Sequence, residues 1–325
     1  MSDESIQKLE YVPCALCSSD DTELFLEDGC FNLVRCKRCG LVYVNPRPTR
    51  KELGRMYNMS VQTGNGVMDH TGYMELAYLH ELKSNKYLSM IKKYEKEGRI
   101  LDIGCASGFF LNFAKQRGFD PHGVDISKTL CVFAKRHFKL NISCGTLREI
   151  SYPSEYFDVV TMFDVLSHLP TPVEDLNEVN RVLRKDGLLL IETGNRGELN
   201  AKAVEKWRGV WGSPSHLYHF GTKTLIKLLK ITGFDCIDID KSSVILSSVM
   251  EVALRRIIGS RKSKVSYQKI KLDAAPMIRR GLMGVGAHLY LLAKYGLGKL
   301  LPKSNVDCTL TVCCKKRRGA RADVA

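Results

Sequence analysis

The sequence predicts a doubly wound, mainly parallel α/β sheet, preceded by a small four-cysteine module and interrupted by a helical insertion before its last strand. Three observations carry this. From Gly98 onward short apolar runs alternate with segments of helical periodicity, the pattern that builds βαβ units. The turn DIGCASG, residues 102–108, separates the first such run from a helix, and open sheets of this kind bind ligands at the carboxyl ends of their strands. Two Cys-x-x-Cys pairs, CALC at 14–17 and CKRC at 36–39, come before all of it.

Eighteen residues separate the two pairs, the spacing at which Cys14, Cys17, Cys36 and Cys39 close a tetrahedron around zinc, each pair forming one knuckle. Residues 1–48 therefore read as a zinc ribbon, against the alternative of four buried or redox cysteines. Gly40 follows the last cysteine and can take a positive φ before the strand-like LVYV. Cys30 fits neither knuckle. Four protein ligands leave no open position, which assigns the metal a structural or recognition role. NPRPTRKEL, at 45–53, ends the module with two prolines and a helix start at Thr49. Residues 49–98 then read as a helical lid or linker. Within them, Met68 to Glu97 is helical in pattern, with Met74, Ala77, Tyr78, Leu82, Tyr87, Leu88 and Ile91 on one apolar face.

The main domain follows over 99–240 and resumes at 306–318. RILDIG is a buried strand, GFFLNFAKQRG a helix closed by Gly118, and PHGVDI a second strand. A helix through TLCVFAKRHF, strands at NISCG and FDVVTMFDV, a helix through EDLNEVNRVLR, a KDG turn and a strand LLLIET complete the alternation. The glycine-rich turn excludes two ligand classes. A phosphate loop requires Gly-Lys-Ser/Thr where Phe109 and Phe110 stand, and Gly104, Ala106 and Gly108 miss the dinucleotide register.

DIGCASG resembles the D-x-G-x-G-x-G loop of class I S-adenosylmethionine-dependent methyltransferases, with Ala106 in place of the middle glycine. The resemblance implies that Gly104, Cys105, Ala106 and Gly108 border the cofactor. It also implies that Asp102 faces its cationic methionine end and that Asp125, with Ile126 beside it, takes the ribose. Thr146 and Leu147 in CGTLREI match the adenine-lining segment, although an acid is commoner at Thr146. Phe163 ends the fourth strand of the same likeness, which continues through FDVVTMFDVLSHLPTP, RVLRKDGLLLIET, WGSPSHLYHFGTKTLIKLLKITGF and the final TLTVCC. The cysteine module followed by GLVYVNPRPT is similar to a bacterial and archaeal subgroup that methylates sugars, lipids and other small molecules. The implied fold is a Rossmann-like methyltransferase sheet.

Methyl transfer depends chiefly on placing the acceptor, with a base needed only where the acceptor must lose a proton. His168, after the fourth strand, and His216, in PSHLYHF, are the candidate catalytic residues, with His219 behind them. A capping role for His168 and a backbone partner for His219 are the structural alternatives. Trp207 and Trp211 read as core or as an apolar wall for the acceptor. Cys105, with no paired base, reads as a packing residue rather than a nucleophile.

The formal charge is +14, and residues 241–308 hold thirteen lysines and arginines against three acids, so about ten excess charges sit in this insertion. A connection of that length is functional or a folded subdomain. Inside it GLMGVGAHLYLLA is uncharged and flanked by Arg279, Arg280, Lys294 and Lys299. It is too short to span a bilayer but suits a core helix or an interfacial one, so residues 276–301 read either as core or as a peripheral contact with anionic membrane. Twelve cysteines without an apolar leader suggest a reducing, cytoplasmic compartment, and residues 319–325 a disordered tail. The function expected is methyl transfer from S-adenosylmethionine to a small molecule, sugar or lipid-linked glycan, with zinc as a structural metal. RNA methylation ranks second, since the insertion carries only Tyr267, Tyr290 and Tyr295 as stacking platforms. A non-catalytic cofactor-binding scaffold is the third reading.

Overall fold

The structure is a computed structural model, and it describes residues 8–28, 31–63, 77–196, 216–242 and 309–317. The chain divides into two compact units, Met1–Asp240 with Leu310–Ala325, and Lys241–Thr309. The expectations for Cys30, Met74, Trp207, Trp211, the membrane-facing stretch 276–301 and the tail lie outside the described residues. Among the described residues no helix is long and apolar enough to cross a membrane.

The amino-terminal module opens with β1 (Leu9–Glu10), β2 (Thr22–Asp28), β3 (Phe31–Cys36), β4 (Val42–Val44) and β5 (Arg47–Pro48), and α1 (Arg50–Thr63) follows. Strands β2, β3 and β4 form an antiparallel meander. Gly40 turns the chain into β4 with φ +80°, as its lack of a Cβ allows. The Thr49 hydroxyl accepts from Glu52 N at 3.5 Å, the contact expected of a helix start there.

The next helix, α2, is described over Ala77–Ile91. It stops at Ile91, short of the Glu97 boundary that periodicity suggests. Beyond it one looser turn follows, with Tyr94 N and Glu95 N both donating to Ile91 O at 2.9 Å, and Glu95 bridges Arg184 and Lys315, each at 2.8 Å. Tyr87, Leu88, Met90 and Ile91 are buried on its inner face.

The main sheet follows: β6 (Gly98–Ile103), α3 (Phe109–Gln116), β7 (Phe119–Asp125), α4 (Lys128–Phe138), β8 (Asn141–Cys144), α5 (Leu147–Ile150), β9 (Phe157–Phe163), a single turn at Leu166–His168, α6 (Pro172–Val182), β10 (Leu183–Gly194), β11 (Tyr218–His219), α7 (Thr222–Ile231), β12 (Phe234–Ser242) and β13 (Thr309–Lys316). Seven strands lie in the order β12-β13-β10-β9-β6-β7-β8. The pairings β10/β9, β9/β6, β6/β7 and β7/β8 are all parallel. Leu188 to Ile191 of β10 are fully buried in succession, because helices cover both faces and no solvent side imposes alternation. Local chemistry sets the helix starts. Ser127 caps α4 by accepting from Leu130 N at 3.4 Å, and Pro172 opens α6 with Glu174 and Asp175 in its first turn.

Two boundaries differ from the pattern. Helix α6 ends at Val182, and Arg184 to Gly187 belong to β10 rather than to a separate turn. The register against β9 slips between Leu183 and Leu188, with Asp186 at φ +58°. The KDG residues form a bulge at the strand's entry, anchored where Arg184 bonds Asp158 at 2.6 Å.

A third feature has no counterpart in the sequence pattern. Strand β11 does not join the main sheet but completes the ribbon sheet, in the order β11-β4-β3-β2. One apolar core accordingly runs from Cys14, Leu16, Leu41 and Tyr43 into Leu166, Leu217, Phe220 and the sheet residues Val160, Met162 and Ile191.

Candidate active site

Three groups of residues carry chemistry. The first is the cysteine cluster. Cys14 and Cys39 bring their sulfurs to 3.4 Å and Cys17 and Cys36 to 3.5 Å, and all four lie within 4.8 Å of one another. Thiolates bonded to zinc at about 2.3 Å in a tetrahedron stand ~3.8 Å apart, so the cluster fits that metal. Burial pushes the Cys14 thiol up. Cys36 is also pushed up by burial, but backbone N–H groups of Cys39 and Arg38 and the Cys17 side chain outweigh this and hold it below its ordinary value.

The second group is the loop between β6 and α3. Gly104 and Gly108 have φ of +72° and +78°, and each is closed to a side chain on another ground. A Cβ on Gly104 would collide with Val165, and one on Gly108 would come within 2.8 Å of Leu140 and 3.0 Å of Ala134. Ala106 keeps the left-handed backbone, φ +46°, so the missing middle glycine leaves the loop's path intact. Asp125 ties this loop to the second strand. Its Oδ2 accepts from Ala106 N at 2.9 Å and its Oδ1 from Ser127 N at 2.8 Å, and each carboxylate oxygen retains a second lone pair for a ligand hydroxyl. Asp102 is 3% exposed and accepts from Thr161 Oγ1 at 2.7 Å. Burial, and secondarily the Asp125 charge, raise its pKa to about 8; burial also raises Asp125.

Two buried carboxyls beside a glycine cradle, whose ionised forms call for a compensating positive charge, suit a ligand bearing cations and vicinal hydroxyls, as S-adenosylmethionine does. Ile126 is 45% exposed beside Asp125, where an apolar face can cover a base. Leu147 is buried, and Thr146 opens the short helix α5. The Cys105 side chain points away from the loop's open side into the core with Leu111 and Ile142, its thiol pushed well up by burial. It packs, as its sequence context suggests, and only its backbone faces the cradle.

The third group gathers at the carboxyl ends of β9 and β10. His168, in the turn after β9, is exposed, and its ring centroid lies 4.2 Å from that of His216. His216 is held far below the usual imidazole range, by burial first and then by Arg196 and the neighbouring histidines. His219 is 1% exposed and lowered to about 3 by burial, then by Arg196. The structure thus brings His168 and His216 together and places His219 behind them, neutral and in the core.

Around this pair stand groups that motif reading missed. Asp164 directly follows β9, with φ +56°. The residue is exposed, and its carboxyl pKa is raised by partial desolvation and by Glu192, against the opposing pull of Lys83, Arg196 and His168. Its backbone N–H donates to Glu192 O at 2.9 Å. Glu192, buried near the end of β10, accepts from the Tyr87 hydroxyl, and Tyr87 stacks on Phe163 at 4.2 Å. The available signal was position: acids at the carboxyl ends of central strands, in FDVVTMFD and LLLIE, are where open sheets place functional groups.

Known proteins resemble the chain over the region that holds these groups. Residues 76–239 match a family described as a methyltransferase domain. A ubiquinone biosynthesis O-methyltransferase of Coxiella burnetii is 27% identical over 106 residues, 31% of this chain and 45% of that protein. An uncharacterised protein of Methanocaldococcus jannaschii is 30% identical over 137 residues, 40% of this chain and 58% of that one. The chain thus spans about half the length of these relatives.

Among solved structures, the [4+2]-cyclase SpnF superposes with a TM-score of 0.52 at 18% identity, covering 84% of this chain and 99% of that one. Phosphoethanolamine N-methyltransferase 2 of Haemonchus contortus, in complex with S-adenosyl-L-methionine, gives 0.50 at 18%, covering 83% and 58%. These neighbours establish the fold alone. The family match spans half of the chain and contains the glycine loop, Asp125 and the strand ends described above, and on that ground the chain belongs to the methyltransferase-domain family.

Proposed function

We propose that the chain is an S-adenosylmethionine-dependent methyltransferase whose acceptor is a small molecule, sugar or lipid-linked glycan, with zinc held structurally by Cys14, Cys17, Cys36 and Cys39. One observation carries the reading. The glycine cradle with Asp102 and Asp125 stands beside a cluster of ionisable groups, His168, His216, Asp164 and Glu192, at the carboxyl ends of adjacent parallel strands. When bound, S-adenosylmethionine supplies an electrophilic methyl group. Asp125 would hold its ribose hydroxyls, Asp102 would face its charge, and Ile126, Thr146 and Leu147 would border the base.

The acceptor must then reach that methyl group in line, and most of the rate comes from holding it there. An acceptor hydroxyl requires a base at its oxygen. His168 is the accessible imidazole, and Asp164 is a carboxylate whose raised pKa brings it nearer the working pH of a base. His216, kept neutral, can receive a hydrogen bond without competing for the proton. Tyr87 and Phe163 form an aromatic wall beside them.

Transfer of radiolabelled methyl groups from S-adenosylmethionine into a cell extract, followed by fractionation, tests the reading. Label in lipid, glycan or small polar molecules is the expected outcome. Label in RNA would reverse the ranking and assign the basic insertion to phosphate binding, while label in no fraction would favour the scaffold reading.

A further inference from the structure

The ribbon and the catalytic histidines meet at one backbone joint. Strand β11 pairs antiparallel with β4, with Tyr218 opposite Tyr43 and His219 opposite Val42. Just before it, the Leu217 carbonyl accepts from Val44 N at 2.9 Å, while Leu217 N donates to Ser167 O at 2.8 Å. Leu217 is therefore bonded on one side to the ribbon and on the other to the turn that carries His168. His216 adjoins Leu217, and His168 adjoins Ser167. The joint holds the two imidazoles at their 4.2 Å approach.

A second brace runs in parallel. Arg47, 8% exposed, donates from Nη1 to Pro170 O and to the Tyr218 hydroxyl, both at 3.0 Å, and from Nε to Glu10 at 3.0 Å. Tyr218 also donates to Pro170 O at 3.2 Å. On the far side, β4 leaves directly from the second knuckle: Leu41 O accepts from Cys36 N at 2.9 Å, and Gly40 N donates to Cys36 O at 2.8 Å. The path from sulfur cluster to histidine pair consists of buried backbone, with Leu41, Val42, Val44, Leu217 and Phe220 each at most 1% exposed.

We infer that the four-cysteine site is a positioning site for the reaction: a metal held there sets β4, β4 templates Leu217 to His219, and that strand holds His216 against His168, with Arg47 as a second positioning residue. The cofactor loop meets this chain of contacts only at its edge, where Gly104 lies against Val165, whose carbonyl accepts from His168 N at 2.9 Å; the Asp125 carboxylate bonds Ala106 and Ser127, and Asp102 bonds Thr161, all outside the joint. The metal thereby acts on the acceptor side, with cofactor affinity little changed. The functional consequence rests on the proposal that the histidine pair faces the acceptor. The geometric coupling does not, and the test reads the geometry.

The experiment is histidine carbethoxylation by diethylpyrocarbonate, mapped residue by residue by mass spectrometry, on the full chain loaded with zinc and after stripping with a chelator. S-adenosylmethionine affinity is measured in parallel by calorimetry. Two internal standards are built in: His122, 6% exposed in the main sheet, reports global opening, and His137, exposed on α4, reports reagent activity. Stripping is expected to raise the rate at His216 by roughly tenfold, the scale of a local opening, with zinc restoring it, with His122 and His137 unchanged and with cofactor affinity little changed. An unchanged His216 rate in metal-free protein overturns the inference. Should stripping expose His122, the deciding arm is Arg47→Ala with its zinc retained: a faster His216 supports the inference, and an unchanged one overturns it. Absence of methyl transfer to any acceptor would sink the proposed function and leave this result standing.

Discussion

Asp125→Ala separates cofactor binding from fold maintenance. In the protein the carboxylate accepts from Ala106 N at 2.9 Å and Ser127 N at 2.8 Å, which leaves a lone pair on each oxygen for the proposed ribose contact. Removing a charged acceptor from the ribose costs about 1.5–3 kcal/mol, so the dissociation constant for S-adenosylmethionine should rise about 10- to 150-fold. Stability should move less, because two effects oppose. The stranded N–H groups cost roughly 1–3 kcal/mol. Against this, burial raises the Asp125 pKa in the folded chain, so its ionised form carries a penalty near neutral pH that the alanine removes. The net change in Tm should stay within about 4 °C. Asp125→Asn, which keeps an oxygen for one N–H, should fall between parent and alanine in both measurements. Calorimetry on refolding-competent protein reads the affinity and scanning calorimetry the Tm. Parental affinity in the alanine variant would refute the placement of the ribose, and a collapse of Tm with proportionate loss of binding would show a structural carboxylate only.

Asp102 gives a pH signature. Its folded pKa of about 8 against an ordinary 3.8 means the folded chain keeps a proton that the unfolded chain has released, so this stability is full below about pH 4 and is lost as pH rises through 8, by at most ~1.4 kcal/mol per pH unit. Asp102→Asn should flatten that slope in urea titrations of the cofactor-free protein. Gly104→Ala puts a Cβ against Val165 in a left-handed backbone. It should cost roughly 2–5 kcal/mol, as strain and overpacking add, read as a lowered urea midpoint with weakened cofactor binding. Zinc analysis should find one metal per chain, and Cys36→Ser, which removes one of four converging sulfurs, should abolish it. Tyr87→Phe leaves Glu192 short of a buried donor and should destabilise the chain by about 1–3 kcal/mol in the same urea assay.

Much of this was legible because the signals were local. The strands β6, β9 and β10 are buried on both faces, so their apolar runs stand out without alternation, and the two glycines of DIGCASG sit at the positive-φ positions that no side chain could fill. The paired knuckles advertise themselves by spacing. What escaped was non-local. Two residues, Tyr218 and His219, make β11, too short for any periodicity, and its partner is near the other end of the chain. The slip at Asp186 depends on Arg184 finding Asp158, and Glu95, just past the end of α2, meets Arg184 and Lys315 only in the folded chain. Asp164 and Glu192 are ordinary acids in sequence; the parallel register of β9 and β10 makes them neighbours, with Glu192 opposite Phe163.

That neighbourhood also bears on the acceptor. Asp164 has the acidic Glu192 and the basic Lys83 and Arg196 within electrostatic reach, the first raising its carboxyl pKa and the other two opposing it. A polyanion such as RNA is drawn in by grooves of a single positive sign, interleaved with aromatic platforms. Here groups of both signs stand around one carboxylate, and the aromatic pair Tyr87 and Phe163 stack on each other rather than presenting two separate faces. The excess positive charge of the chain is counted in residues 241–308, not among these four groups. A polar acceptor of little net charge at its reacting end fits such a mixed set better than a polyanion does, in keeping with the small-molecule or glycan acceptor proposed above.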